Sequence, residues 1–532
     1  MLTKEPIFQN GDPIKIWQKY CGFLDLSLQE FKEIQEELLM EEIELVADSS
    51  LGKKILKGKK PKTVEEFRRV VPLSTYDDYA PYIGECQEDS LPAKPALWAH
   101  TSGRGGRFKW IPYTERALER HGDACLAGFI LAAAKHRGEV NIRAGSRFLS
   151  ILAPRPYFSG ISSLLLIERF GLEMIPPPKV AEKLDFQERI AAGFKIAIRT
   201  GVDFIMGLGT VLVKMGDRFT EHPGGGGFSI SMLHPVAMAR LIRALLRSKL
   251  RHRPMLPADI WRSKGIMCFG TDTAIYRDKI EHYWGQPPHE VYGCTEAAGI
   301  LSTQSWARKG MVFYPYGCFF EFIPEEEWVK INEDEKYQPA TVLIDEVKEG
   351  EIYGVVITSF HGMPLLRYRV GDLLRVVSLE ESETGIKLPQ FSFHSRDDGL
   401  IDMHNIVRLD ERTIWQAMNH TNISYEDWSV RKEYEEDWPI LRLYVEPKQE
   451  VTAKELARRF HKSLLVISPL YQEAVSETER KPVRVTILRS GSFQRYYERK
   501  KAEGSDLAQL KPPHMNAKDA VIQELLECSK NI

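Results

Sequence analysis

The chain has 532 residues, 43% hydrophobic and 27% charged, with a formal net charge of -2 at pH 7. That length supplies more than one domain and ample apolar material for their cores. The near-neutral balance excludes the electrostatic footprint expected of a nucleic-acid or anionic-membrane binder. Seven cysteines, at 21, 86, 125, 268, 294, 318 and 528, follow no CxxC or Cys/His zinc spacing, which points to a reduced, cytoplasmic compartment. The opening MLTKEPIFQNGDPIK lacks the apolar core of a signal peptide. The longest apolar run, ACLAGFILAAA (124–134), is too short to span a bilayer.

In chain order, SLQEFKEIQEELLMEEIELVADS (27–49) predicts a helix, with Ser27 as N-cap, Glu30 at capping-box spacing and apolar residues recurring at helical intervals. The stretch HTSGRGGRFKWIPYT (100–114) sets Ser102, Gly103, Gly105 and Gly106 among Arg104, Arg107 and Lys109. Small residues let a loop curl and present successive N–H groups, and beside cations such a loop makes a phosphate cradle. An ordinary basic surface turn has the same composition. No Gly-Lys-Ser/Thr follows, so the loop is not a Walker A motif.

Residues 124–134 then predict a buried helix, and RFLSILAP (147–154) a buried strand closed by a proline-rich turn. A helix-rich stretch covers 180–250, interrupted by EHPGGGGFSI (221–230), which reads as a surface loop. From 312 onward the runs TVLIDEV, EIYGVVITSF, LLRYRV and DLLRVVSL alternate, with turns at KEGE, HGMP and VGD. They predict an antiparallel β segment attached to an α/β body. After 396 the pattern becomes compact α+β. A boundary near Arg396–Asp398 divides a large domain, 1–395, from a small one, 396–532.

Three constellations carry chemistry beyond the glycine loop. In EVYGCTEAAG (290–299), downstream of GIMCFGTDTAIY (265–276), Tyr292 offers an aromatic face, Thr295 a hydroxyl and Glu296 a carboxylate. Such a group can stack a purine, bond an α-phosphate and hold Mg²⁺ by one carboxylate. The same residues also fit a helix start, with Thr295 as its cap. In LLRYRVGDLLRV, Asp372 can accept both hydroxyls of a ribose, and Gly-Asp is also a hairpin turn. In HSRDDGLIDMHNIVRLDERTI (394–414), charged residues on a short linker suit a hinge or a solvated turn.

Taken in order, the Gly/Ser loop, Tyr-Gly-x-Thr-Glu, Tyr-Arg-x-Gly-Asp and Ser-Arg-Asp-Asp resemble the adenylate-forming enzymes. Within that superfamily the chain looks most like the acyl acid–amido synthetases, the plant auxin- and jasmonate-conjugating enzymes and their bacterial relatives. KTVEEFRRVVPLSTYDDYAPYI (62–83) is similar to that family's opening segment, and GSFQRYYERKKAEGSDLAQLKPPHM (491–515) resembles its C-terminal signature.

The resemblance implies an α/β fold. A large N-terminal α/β domain with an attached antiparallel β segment would be followed by a small, mobile α+β domain. It implies a two-step ligation: a carboxylic acid is activated by Mg·ATP as an acyl adenylate, then passed to an amine or a thiol. Lys511, Lys109 and Arg104 would carry the catalytic charge. Thr101, Ser102, Gly103, Gly105, Gly106, Gly270, Thr271, Tyr292, Thr295, Asp372 and Arg396 would bind the nucleotide, Glu296 the Mg²⁺, and Asp398 would be the hinge. APRPYFSG (153–160) and FIMGLGT (204–210) are candidate walls of the carboxylate pocket, and equally candidate core turns.

Departures from the family pattern are Arg104 and Gly105 in place of two hydroxyl residues, Asn405 where glycine is common, and His514 in place of an arginine. A coenzyme A ligase shares the first step and differs in its acceptor. A catalytically decayed nucleotide-binding or interaction protein is the remaining alternative, supported by Arg104, Gly105 and His514.

Overall fold

The computed structural model describes the chain except residues 1–10, 101–108, 222–233, 270–272, 298, 334–336, 397–400, 404–406, 436–437, 470, 473–474, 476–480, 504–513, 518 and 531–532. Contacts divide it into two units, Met1–Val370 with Leu374–Phe393, and Gly371–Leu373 with His394–Ile532.

The first unit opens on helices. The one at Leu28–Ala47 begins in the expected capping box: the Glu30 amide donates to Ser27 Oγ at 3.2 Å and the Ser27 amide to Glu30 Oε2 at 2.8 Å. The strands follow in chain order as β1 (Leu97–His100), β2 (Trp110–Tyr113), β3 (Arg147–Ser150), β4 (Glu173–Ile175), β5 (Phe204–Leu208), β6 (Gly265–Phe269), β7 (His289–Cys294), β8 (Gly299–Gln304), β9 (Met311–Phe313), β10 (Cys318–Pro324), β11 (Ile352–Ser359), β12 (Tyr368–Ser378) and β13 (Gln390–Arg396). β1 and β2 form a small antiparallel ribbon. The rest join in one 11-stranded sheet, ordered β10-β11-β12-β13-β9-β8-β7-β6-β5-β3-β4.

From β4 to β7 the neighbours are parallel, and from β7 through β8 to β9 they are antiparallel. The predicted antiparallel segment is therefore continuous with the α/β body. β8 turns back beside β7, and β9 and β13 pair to carry the sheet onward. The parallel strands are apolar on both faces because helices cover both. On one face the buried helix Glu115–Ala133 brings Phe129 to within 5.6 Å of Phe148 and 5.1 Å of Phe204, ring to ring. Gly128 lets it lie against β6, since a Cβ there would stand 2.8 Å from Met267 Sδ. On the other face Trp261 stacks between Phe194 and Trp284.

Two expected strands differ. TVLIDEV makes a single bridge, Val342 to Phe322, and then turns, with the Leu343 amide donating to Glu346 Oε2 at 2.7 Å. LLRYRV and DLLRVVSL do not flank a hairpin. Residues 368–378 run as the one strand β12, and Gly371 adopts φ 80° within it, at the place expected to turn.

The second unit continues with the antiparallel pair β14 (Ile401–Met403) and β15 (Val407–Leu409). Its main sheet has β16 (Tyr425–Glu435) antiparallel to β17 (Trp438–Pro447), and β17 parallel to β18 (Val483–Ile487). Helices Ser492–Ala502 and Asp519–Lys530 close over Tyr444, joining Phe493, Tyr496, Ile522 and Leu525 in a core. Among the described residues no helix is long and apolar enough to cross a membrane.

Candidate functional site

β7 ends at Tyr292–Cys294, and the chain reverses through a three-residue turn, Thr295–Ala297, before β8. This is a single 3-10 turn that contains Thr295 instead of being capped by it, and among the described residues no α-helix starts there. The reversal is tight: a Cβ on Gly293 would stand 2.2 Å from the Gly299 carbonyl oxygen. Side-chain donors hold the turn in place, Cys318 Sγ among them, on the Ala297 carbonyl at 3.3 Å. Tyr113 donates its hydroxyl to the Thr295 carbonyl, and Ser359 Oγ donates to the Glu296 carbonyl at 3.3 Å. Burial pushes the Tyr113 hydroxyl well up, so it stays protonated and donating.

The turn projects Glu296 toward Lys109, which sits between the glycine loop and β2. Their carboxylate and ammonium are 3.8 Å apart, with 15% and 38% of the side chains exposed. Tyr368, at the start of β12, reaches both: its hydroxyl lies 3.5 Å from Glu296 Oε1 and 3.5 Å from Lys109 Nζ, the outer limit of a hydrogen bond. Lys109 Nζ also lies 5.2 Å from the centre of the Tyr76 ring. The sequence reading of Tyr-Arg-x-Gly-Asp singled out Asp372 and missed Tyr368, four residues earlier in the same motif.

Tyr368 is placed by the segment 62–83. Ser74 pairs with it across an isolated bridge, receiving the Arg369 amide at 2.9 Å and donating its own to the Arg367 carbonyl at 2.9 Å. Tyr79 donates its hydroxyl to the Leu366 carbonyl at 2.9 Å and accepts the Leu366 amide at 2.8 Å. Arg367 is locked on Glu321 by two bonds of 2.9 and 2.8 Å, and donates to the Arg68 and Val71 carbonyls at 2.6 Å each. This buried pair is satisfied on both sides, the condition for holding charge in a core.

Tyr292 is buried, its ring 6.3 Å from Phe393. A cavity of about 10 Å³ lies behind the turn, between Arg120 and His121 of helix Glu115–Ala133, Ala297, Ile300, Tyr314 and His361. That is room for about one water. Burial drives both imidazoles down, His121 to about 3 and His361 to about 4, so they line it uncharged. Of the two candidate pocket walls, Phe158 stacks on Tyr113 at 5.7 Å and lies tilted against His121 at 4.4 Å, beside this cavity. Residues 204–208 are β5.

In the second unit, Asp372 is buried and accepts from Arg396 Nη1 at 2.9 Å, so those two candidates meet. Thr101, Ser102, Gly103, Arg104, Gly105, Gly106, Gly270, Thr271, Asp398, Asn405 and Lys511 lie outside the described residues. Among the described residues no three His, Cys, Asp or Glu side chains cluster as a metal site. A lone carboxylate still suits Mg²⁺, which takes most of its ligands from phosphate and water.

The fold is that of the adenylate-forming ligases. An acyl acid amido synthetase, AtGH3.15 in complex with 2,4-DB, aligns with a TM-score of 0.67 at 18% identity, covering 99% of this chain and 97% of its own. A 2-hydroxyisobutyryl-CoA ligase in the postadenylation state aligns at 0.61 and 13% identity, covering 94% and 92%. The sequence matches the GH3 family N-terminal domain over 21–153, the GH3 family central domain over 311–396 and the GH3 family C-terminal domain over 411–520. Those three stretches make up more than half of the chain, and the protein belongs to the GH3 family.

Indole-3-acetic acid-amido synthetase GH3.4 of Arabidopsis thaliana is 26% identical over 45% of this chain and 42% of its own length. Jasmonoyl--L-amino acid synthetase GH3.5 of Oryza sativa subsp. japonica is 25% identical over 48% and 46%. The chain thus spans less than half the length of these curated relatives.

Proposed function

We propose that the protein is an ATP-dependent ligase. It activates a small carboxylic acid as the acyl adenylate and transfers the acyl group to an amine, that of an amino acid. The observation that carries this reading is the convergence of Lys109, Glu296 and Tyr368, contributed by three distant stretches of chain; Lys109 directly follows the glycine-rich loop in the sequence. Membership of the GH3 family and the names of its relatives support the amine as acceptor.

In the first step a substrate carboxylate oxygen attacks the α-phosphorus, and the bond to the β-phosphate oxygen breaks, releasing pyrophosphate. Negative charge gathers on the leaving group, and fixed cations facing it lower the barrier. Lys109 and Arg104 supply them from the glycine loop, and Lys511 meets the α-phosphate. Asp372, oriented by Arg396, accepts the ribose hydroxyls, while Tyr292 stacks the purine. Thr101, Ser102, Gly103, Gly105, Gly106, Gly270, Thr271 and Thr295 bond the phosphates. Glu296 would hold Mg²⁺, which when bound would shield the pyrophosphate charge.

In the second step the amine nitrogen attacks the acyl carbon, its carbon–oxygen bond to AMP breaks, and the nitrogen loses its proton. AMP is a good leaving group, so positioning matters more than a strong base. The small domain, 396–532, turns about Asp398 between the steps. A cytoplasmic location, where ATP and free amino acids are abundant, suits this chemistry.

ATP–pyrophosphate exchange across a panel of carboxylic acids tests the first step. Exchange with at least one acid is expected, and none with any acid would leave a decayed nucleotide-binding protein. Mass spectrometry of reactions supplied with amino acids or with coenzyme A then separates the amide product from the thioester.

A further inference from the structure

His514 sits three residues after Lys511 and is built into the second unit. Its Nδ1 faces Glu411 Oε1 at 2.6 Å and its Nε2 faces Asp427 Oδ1 at 2.8 Å, with 6% of the side chain exposed. A neutral imidazole has one donor nitrogen, and its other would set a lone pair against a carboxylate. Two short contacts to carboxylates therefore call for both N–H groups, the imidazolium. The ring stacks on fully buried Trp428, centroids 4.3 Å apart and planes at 12°, with the edge of Trp415 at 5.0 Å. Indole faces favour a cation.

The backbone is tied as well. The Val430 amide donates to the His514 carbonyl at 2.6 Å, and the Asn516 amide to the Val430 carbonyl at 2.9 Å, joining this segment to β16. The two carboxylates come from different places. Asp427 is on β16, where its Oδ2 also accepts the Tyr497 hydroxyl at 2.9 Å. Glu411 opens the helix Glu411–His420, which follows the hinge segment in the chain. Three peptide units reach at most ~11 Å, so fixing His514 limits where the chain can carry Lys511.

We propose that His514 is a positioning residue: its imidazolium ties the chain three residues after Lys511 to β16 and to the start of helix Glu411–His420, and so supports the part Lys511 plays in adenylate formation. The inference rests on the role given above to Lys511 in adenylate formation. Burial by itself lowers the basicity of His514, but Asp427 and Glu411 more than reverse this and hold it at about 9. The groups facing the clamp are Glu411 from the helix, Asp427 and Tyr425 from β16, and Tyr497 from helix Ser492–Ala502.

The test compares half-reactions in the full-length protein. His514→Gln should lower ATP–pyrophosphate exchange at least tenfold while transfer from presynthesised acyl adenylate changes less than twofold. His514→Arg, a cation at every working pH, should restore exchange. Wild-type exchange should fall as pH rises through about 9. Glu411→Gln, which removes one carboxylate and keeps the fold's other contacts, should move that fall to lower pH, and His514→Arg should abolish it.

Imidazole ¹⁵N spectra at neutral pH should show both His514 nitrogens protonated, even if His514→Gln fails to fold. A neutral ring, equal loss of both half-reactions, or no rescue by arginine would overturn the clamp. Lys511→Ala separates the two claims. If it leaves exchange intact, the role of Lys511 is wrong. If it abolishes exchange while His514→Gln does not, only the clamp is wrong.

Discussion

Lys109 and His514 are both cations set against carboxylates, but they are held in opposite ways. Lys109 is more than a third exposed, and among the described residues it meets one carboxylate, at 3.8 Å, and is braced by long contacts to Tyr368 and a Tyr76 ring. His514 is buried, flanked by two carboxylates within 2.8 Å and stacked on an indole. A half-open pair contributes little to stability and can exchange its partner for a phosphate, whereas a desolvated triad gives up geometry only at high cost. The contrast separates a charge kept available for a ligand from a charge used to hold the chain. The Arg367–Glu321 pair belongs with His514 in the second group.

The largest expected effect sharpens that division. Glu321→Ala strands the buried Arg367 guanidinium and should cost about 3–5 kcal/mol of unfolding free energy, measured by denaturant melts. Exchange activity should fall with it, because Tyr368 follows Arg367 in the chain. A stability change below 1 kcal/mol (roughly the worth of a surface pair) would move Arg367 to the available class.

Lys109→Ala should behave in the reverse sense. Pyrophosphate exchange should drop about 100-fold, the typical loss for one preorganised charge at a developing anion, while the melting temperature stays within a degree or so. A destabilised but active variant would break the comparison outright.

Asp372→Ala should raise the KM for ATP by roughly tenfold or more, reflecting about 1.5–3 kcal/mol for hydrogen bonds to a charged acceptor. The unmodified protein should correspondingly use 2′-deoxy-ATP less well than ATP. Equal use of the two nucleotides, with no effect of the substitution, would remove Asp372 from the ribose.

The smallest effect concerns a carboxyl that is neither available nor paired with a cation. Glu42 is buried and accepts the Gly362 amide at 2.8 Å. Burial raises it to about 8, only partly offset by the Gly362 and His361 amides. The folded state therefore holds a proton that the unfolded chain releases near 4.5, so this stability is full at acid pH and is lost as pH rises through about 8. Glu42→Gln keeps the acceptor and should flatten that loss, gaining on the order of 1–2 kcal/mol over wild type at pH 9. Parallel melting-temperature profiles from pH 6 to 9 would contradict it.

Much of the local architecture was legible in the sequence. The capping box at Ser27–Glu30, the buried helix after the glycine loop and the strand at 147–150 each follow from a local pattern. The motif order led to the family. The VGD turn and the TVLIDEV strand were misread because a continuous strand with an inner glycine and a bridged turn have the same composition as a hairpin and an edge strand. Of the residues proposed to act, Lys109, Glu296 and Asp372 were singled out by residue type and spacing, and Arg396 by the family resemblance. Tyr368 was not, because nothing local distinguishes a tyrosine that reaches a site from one that fills a core.

The sequence by itself determined which segments become helix or strand, because periodicity, caps and turn residues act over a few positions of chain. It also carried the order of motifs that defines the family. Only the tertiary structure decided that two kinds of strand share one sheet, through the reversal at Thr295–Ala297. It also decided the charge states of Glu42 and His514. Both are set by burial and by partners such as Gly362, Glu411 and Asp427, which lie between 87 and 320 positions away in the chain. Proton affinity depends on the dielectric and the charges within a few ångströms, and no sequence pattern specifies which distant residues will supply them.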